Sequence, residues 1–147
     1  MVKLPVSVCL KMPAQIIYRQ ANLDDLSKFN FADELSVTSD SIEFNILGMG
    51  HELWIAVENT TIVGFTVLAK MATNQRTVAY VKVADSYTSR GIGAALLQAA
   101  MESHPESEYI VVPFEGTEEF YRHLGFERSG QWEMRREPSG RKLAAVK

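Results

Sequence analysis

Val81-Lys82-Val83-Ala84-Asp85-Ser86-Tyr87-Thr88-Ser89-Arg90-Gly91-Ile92-Gly93-Ala94-Ala95-Leu96-Leu97 reads as a strand, a short loop with two glycines, and the opening of a helix. The valine-rich start has strand character, and the leucines beyond Gly93 recur at helical spacing. A strand-to-helix junction of this kind gathers free backbone N–H groups at the positive end of a helix. It is therefore a ready site for a phosphate-bearing ligand.

The surrounding chain bounds what this junction can serve. At 147 residues it is long enough to bury a sizeable core and is expected to form one domain over 1–147. Within it, 16–136 form the core, with extensions at 1–14 and 138–147. The composition, 46% hydrophobic and 22% charged, is that of an ordinary globular protein. A formal net charge of −3 gives no pull toward nucleic acid, although Lys82, Arg90, Arg122 and His123 supply local positive charge. Cys9 is the only cysteine, so neither an internal disulfide nor a multi-cysteine metal site can form. His51, His104 and His123 are scattered without metal-ligand spacing, and no metal is expected. No apolar run approaches the roughly 20 residues that span a bilayer, and no membrane partner is expected. Pro5 interrupts the one faintly signal-like stretch, Met1 to Leu10, and Lys11 follows it at once. These features lead us to expect a cytoplasmic protein.

Outward from the junction, the pattern gives an ordered set of elements. Ile16-Ile17-Tyr18-Arg19 reads as a first strand. Asn22 caps a helix with Asp24 and Asp25 in its first turn and Leu23, Leu26, Phe29 and Leu35 on its apolar face. A second short helix is expected from Ser39 or Ser41 to Gly48. Leu53 to Val57 and Ile62 to Ala69 flank a turn at Glu58 to Thr61, and a further strand runs from Thr77 to Val83. The helix opened at Gly91 should end near His104-Pro105. Tyr109 to Val112 is a short buried strand, Thr117 to Leu124 a short helix closed by Gly125, and Phe126 to Arg136 one or two edge strands. The order implies an α/β (α+β) fold around a mainly antiparallel sheet.

A nucleoside-triphosphate phosphate loop needs Lys followed by Ser or Thr after the second glycine, where this chain has Ala94-Ala95. A dinucleotide fingerprint needs a third glycine where Leu96 stands. What remains, Gly91-Ile92-Gly93 before a helix, is on its own compatible with a plain turn. A second run, Phe120-Tyr121-Arg122-His123-Leu124-Gly125-Phe126, follows about thirty residues later. With it the chain resembles the GNAT superfamily of N-acetyltransferases, in which a Val-x-Val strand leads into Arg/Gln-x-x-Gly-x-Gly/Ala. A later helix in that family ends in Phe-Tyr-x-x-x-Gly-Phe. Ile17 to Ala21 with Asp24-Asp25-Leu26 is similar to the family's opening strand and helix, and Trp54 to Phe65 to its central hairpin. The resemblance covers roughly residues 16 to 136.

The resemblance implies a GNAT-like mixed, mostly antiparallel central sheet flanked by helices. Acetyl-CoA would be its co-substrate, lying where the parallel strands Thr77–Val83 and Tyr109–Val112 splay apart. It implies that the stretch Val81, Lys82 and Val83 meets the pantetheine arm, chiefly through the Val81 and Val83 backbone. N–H groups from Ser89 through Arg90, Gly91, Ile92, Gly93 and Ala94 would cradle the pyrophosphate, with Arg90 adding charge. Tyr121 would be catalytic, donating a proton to the departing thiolate, while Phe120, Leu124 and Phe126 serve the core. A small-molecule or peptide amine would attack the thioester directly in a ternary complex. The alternative is a non-catalytic acyl-CoA binding or sensing module. Family members often pair, but no feature here assigns a homodimer surface.

The chain departs from the family at Thr88, where arginine or glutamine is usual, and at Phe114, where many members carry asparagine. Strand alternation puts Thr77 and Ala79 on the face of Val81 and Val83, and neither can accept a proton. Glu34, Glu52 and Glu115 are the carboxylates considered instead. The segment Phe29–Met49 is expected to roof the acceptor site, and its mixture of aromatic and acidic residues favours a cationic or partly apolar amine.

Overall fold

The computed structural model describes residues 15–22, 24–25 and 50–138. The readings made for the first ten residues, Cys9, the helix continuing past Leu26, the helix after Ser39, Glu34, the Phe29–Met49 roof and the chain's tail lie outside them.

Within the described residues, β1 (Ile16–Gln20), β2 (Glu52–Glu58), β3 (Thr61–Ala72) and β4 (Gln75–Val83) form an antiparallel meander. A single 3-10 turn (Asp85–Tyr87) and the loop to Gly91 lead into α1 (Ile92–Glu102). Then come β5 (Glu108–Val111), α2 (Glu118–His123), β6 (Glu127–Arg128) and β7 (Met134–Arg136). The strands make one mixed sheet in the order β1-β2-β3-β4-β5-β7-β6, in which only β4 and β5 run parallel. The expected α+β sheet is therefore present. Its last part differs from the sequence reading, because β7 is an interior strand between β5 and β6, and β6 takes the edge.

Local chemistry explains the elements. Ile62 to Leu68 is buried without a break because both faces of β3 are covered. The two-residue turn before it puts Asn59 at φ 57°, a left-handed conformation that asparagine tolerates. Asn22 and Asp25 cap the opening turn reciprocally. Asn22 Oδ1 accepts the Asp24 N–H at 2.9 Å, and Asp25 Oδ2 accepts the Asn22 N–H at 2.8 Å. Arg19 grips the buried Asp25 with two hydrogen bonds, at 2.7 and 2.9 Å.

α1 lies across the sheet with Ile92, Leu96, Leu97, Ala100 and Met101 buried. Its four large side chains contribute roughly 1.5–3 kcal/mol each by leaving water. One layer of core, Leu68, Val78, Leu97, Met101, Tyr109 and Phe126 among others, lies under this helix. A second layer, Leu53, Ile55, Val57, Phe65 and Val67, contains no α1 residue and belongs to the other face. The helix stops at Glu102, short of Pro105, because side chains take its last carbonyls. Ser103 Oγ donates to Ala100 O at 2.7 Å, and the Tyr109 hydroxyl donates toward Met101 O and His104 O at 3.4 and 3.2 Å.

The register of β3 against β4 slips. Val67 pairs with Tyr80 and Leu68 with Val78, which leaves Ala79 as an extra, bulged residue. Val78 and Val81, three positions apart, consequently pack into the same layer. This corrects simple alternation: the bulge reverses parity, so Thr77 falls on the face opposite Val81 and Val83.

Burial pushes the Tyr109 phenol up to about 12. The unfolded chain releases that proton near 10, whereas the folded protein holds it to about 12. Stability is therefore expected to be whole below pH 10 and to fall as pH rises from there toward 12. Tyr109→Phe should flatten that alkaline slope in denaturant titrations, while costing about 1 kcal/mol at neutral pH for the lost hydroxyl contacts.

Candidate functional site

β4 and β5 pair at only three positions, Gln75 with Glu108, Arg76 with Tyr109 and Thr77 with Ile110. Beyond Thr77 they part, and a cavity of about 460 Å³ opens between them. Val78 to Val81 and Val83 line one wall, and Val111, Val112 and Phe114 the other. The loop and first turn of α1, and Thr117, Phe120 and Tyr121 of the α2 segment, complete it.

The backbone of β4 presents itself unevenly to this gap. Ala84 donates its N–H to Val63 O at 2.8 Å, and Lys82 stands opposite Phe65. Antiparallel alternation then turns the Lys82 and Ala84 peptide groups toward β3 and those of Val81 and Val83 toward the cavity. Lys82 is accordingly not among the cavity-lining residues, while Val81 and Val83 are.

The glycine loop follows the sequence reading closely. Ser89 sits at φ 68° and Gly91 at φ 76°, so the chain coils back on itself just before α1. Gly91 supplies this without a Cβ penalty, whereas Ser89 adopts it at a cost of the order of 1 kcal/mol. The helix begins with Ala95 N–H on Gly91 O at 3.0 Å, and no side chain caps it. Among the described residues, none accepts a hydrogen bond from the N–H groups of Ser89 to Ala94. These donors converge at a helix N-terminus carrying about half a positive charge. Ser89, Gly91, Ile92, Gly93 and Ala94 line the cavity. Arg90 does not; its guanidinium lies 4.8 Å over the Tyr87 ring, whose hydroxyl donates to Glu58 Oε1 at 2.6 Å.

Tyr121 is placed by the way α2 ends. Gly125, at φ 95°, directs its N–H to Arg122 O at 3.1 Å, and Phe126 N–H reaches Tyr121 O at 3.1 Å. This is a Schellman closure, in which the residue beyond the glycine folds back onto the one five positions before it. Phe126 meets the Tyr121 ring edge-on at 5.5 Å, and Phe120 does so at 4.9 Å. The spacing Phe-Tyr-x-x-x-Gly-Phe is thus the covalent form of one helix terminus. Tyr121 is almost wholly buried, yet it borders the cavity, and its hydroxyl has no hydrogen-bond partner among the described residues. Burial raises its pKa above the ordinary phenol value, so it stays protonated at neutral pH.

Of the carboxylates considered as bases, the two described ones, Glu52 and Glu115, are elsewhere. Glu52 is bound to the buried Arg76 at 2.9 Å, with His104 Nε2 at 3.5 Å, and does not border the cavity. Glu115 is exposed and also outside the lining. No cavity-lining residue among those described carries a carboxylate, imidazole, ammonium or guanidinium. Tyr80 and Tyr87 border the cavity although the sequence reading gave them no role. For Tyr87, an aromatic ring in a polar loop was an available signal. For Tyr80 none existed, because the bulge decides its position.

The sequence profile described as "Acetyltransferase (GNAT) domain" matches residues 49–128. No curated protein sequence matches the chain. Solved structures do. The ribosomal-protein-S18-alanine N-acetyltransferase of Escherichia coli is 15% identical, with a TM-score of 0.69, covering 85% of this chain and 95% of that one. The PaiA N-acetyltransferase of Thermoplasma acidophilum, solved with coenzyme A, is 16% identical at TM-score 0.64, covering 84% and 99%. A GNAT family acetyltransferase of Brucella melitensis, solved with acetyl-CoA, is 13% identical at TM-score 0.66, covering 84% and 88%.

The two loop glycines should respond differently to alanine. A Cβ at Gly91 meets nothing within 4 Å, but φ 76° penalises it, so Gly91→Ala should cost about 1–2 kcal/mol of stability. A Cβ at Gly93 makes only ordinary contacts, at 3.5 Å to Val83 and 3.7 Å to Phe120. Gly93→Ala should be neutral to about 1 kcal/mol stabilising, since it gains helix propensity. Paired denaturation curves check the contrast.

Proposed function

The chain belongs to the GNAT acetyltransferase family, and from that premise we propose that it moves the acetyl group of acetyl-CoA to a small-molecule or peptide amine by direct attack in a ternary complex. The observation that carries this reading is the run of unpartnered N–H donors from Ser89 to Ala94, opening onto the gap between β4 and β5. Such donors suit a diphosphate. The largely apolar remainder of the cavity suits a pantetheine arm, with the Val81 and Val83 peptide groups turned toward it to hydrogen-bond its amides and thioester carbonyl. Arg90 adds positive charge beside the diphosphate from its perch over Tyr87.

In the chemical step the amine nitrogen bonds to the thioester carbonyl carbon and the C–S bond breaks. The electron pair leaves on sulfur, the Tyr121 hydroxyl protonates the thiolate, and the proton shed by the acylated nitrogen is released to solvent, from which the Tyr121 phenolate regains its own. Its burial keeps that proton in place through neutral pH. The amine enters neutral, since no described cavity residue serves as a carboxylate or imidazole base. The low-polarity walls disfavour an ammonium and so favour that form.

The test is coenzyme A release with a panel of amines. Tyr121→Phe should lower kcat about 100-fold or more while retaining acetyl-CoA binding. The wild-type rate should rise with pH as the amine loses its proton. It should fall only above pH 10, because the Tyr121 phenol titrates above its ordinary value, and that fall should vanish in Tyr121→Phe. Tight acetyl-CoA binding without turnover on a broad panel would instead mark an acyl-CoA binding module, a reading favoured by the same lack of a base among the described cavity residues.

A further inference from the structure

Thr66 is fully buried in the middle of β3, among Val63, Phe65, Val67 and Leu68. Valine has the same shape and no polar atom to hide, so a hydroxyl here needs a partner. Thr66 Oγ1 donates to the Tyr80 carbonyl oxygen at 2.7 Å. Tyr80 stands next to Ala79, the extra residue of the β4 bulge, where the regular ladder is interrupted. The preceding β3 residue, Phe65, stacks its ring on that of Tyr80, with centroids 5.5 Å apart and planes 10° from parallel. Two consecutive β3 residues therefore hold Tyr80, one by its carbonyl and one by its ring. Both Ala79 and Tyr80, with Val81 after them, border the cavity, whereas Thr66 does not.

We propose that Thr66 is a positioning residue whose hydroxyl, by holding the Tyr80 carbonyl, fixes the β4 bulge in the shape that turns the Val81 peptide toward the thioester end of acetyl-CoA. This rests on the acetyl-CoA reading given above. Thr66 acts through Tyr80 and touches no substrate. Without the hydroxyl, the Tyr80 carbonyl loses its side-chain donor and the bulge loses one of its ties to β3. A slide of one residue would exchange the faces of β4 between the α1 layer and the opposite layer. The diphosphate cradle past Thr88 stands on α1 and is independent of this grip.

Calorimetric titration with two probes separates the effects. Acetyl-CoA reads both β4 and the cradle; adenosine diphosphate reads the cradle alone. Thr66→Val should weaken acetyl-CoA about 3- to 10-fold, the range of one net hydrogen bond, and leave adenosine diphosphate unchanged, and Thr66→Ser should restore wild-type affinity. Equal loss for both probes, or no loss for acetyl-CoA, would overturn the assignment. Should Thr66→Val fail to fold, Thr66→Ser against Thr66→Ala isolates the same hydroxyl, and indistinguishable acetyl-CoA affinities in that pair overturn it too. Wild-type protein that binds neither probe would reject the acetyl-CoA reading itself, and this inference with it.

Discussion

Three residue pairs join β4 to β5, and the site exists because the ladder stops there. The closed end is heavily fastened. Arg76, nearly inaccessible to water, binds Glu52 at 2.9 Å and donates a hydrogen bond to the Ser107 hydroxyl. Glu108 N–H reaches Asn74 O at 2.8 Å, and the Glu108 carboxylate takes Gln75 and Arg135 at 3.0 and 2.9 Å. Breaking such a buried ion pair by removing one partner leaves an uncompensated charge and is strongly destabilising. Beyond Thr77 and Ile110 no β4–β5 pair remains, and the cavity opens between the two strands. The cavity is thus a consequence of where the fastening ends.

Much of this was readable from the chain. The strand–glycine–helix junction carries its geometry in local residue types: left-handed backbone at Gly91 and apolar spacing at Ile92, Leu96 and Leu97. The Phe120–Phe126 run was equally legible, because a helix terminus is written in adjacent residues. The bulge at Ala79 was not. Thr77-Val78-Ala79-Tyr80-Val81 contains no glycine or proline to announce it, and the slip is decided by partners on β3. Likewise, nothing near Glu52 marks it as the counter-ion of Arg76, twenty-four positions away. The interior place of β7 was also hidden, since short polar strands read as edges and only the sheet order reveals that β6 lies outside it. Backbone-directed features were visible and long-range pairings were not.

In the proposed reading, the two ends of the cavity, one for the diphosphate and one for the leaving thiolate, are built by different means. The diphosphate end is main chain: donors left over by a helix that begins without a side-chain cap. Substitutions that spare backbone shape should leave it intact, threonine at position 88 among them. The phenol end is side chain, and it depends on the tight terminus of α2 and on aromatic edges packed around Tyr121. Between them runs β4, whose bulge sets which peptide groups and which faces the two ends share.

The terminus of α2 has one more tie. Arg136, in β7, donates its Nε to the Leu124 carbonyl at 2.9 Å and lies against the Cα of Gly125, where a side chain on that residue would crowd it at 3.3 Å. A growing polypeptide emerges from the ribosome with its cradle sequence first and this arginine dozens of residues later. The residues of the 89–94 loop are therefore all made well before the strand that ties the end of α2. In the proposed reading, the part of the site that would hold the diphosphate is complete in sequence before the part that fastens the helix carrying Tyr121.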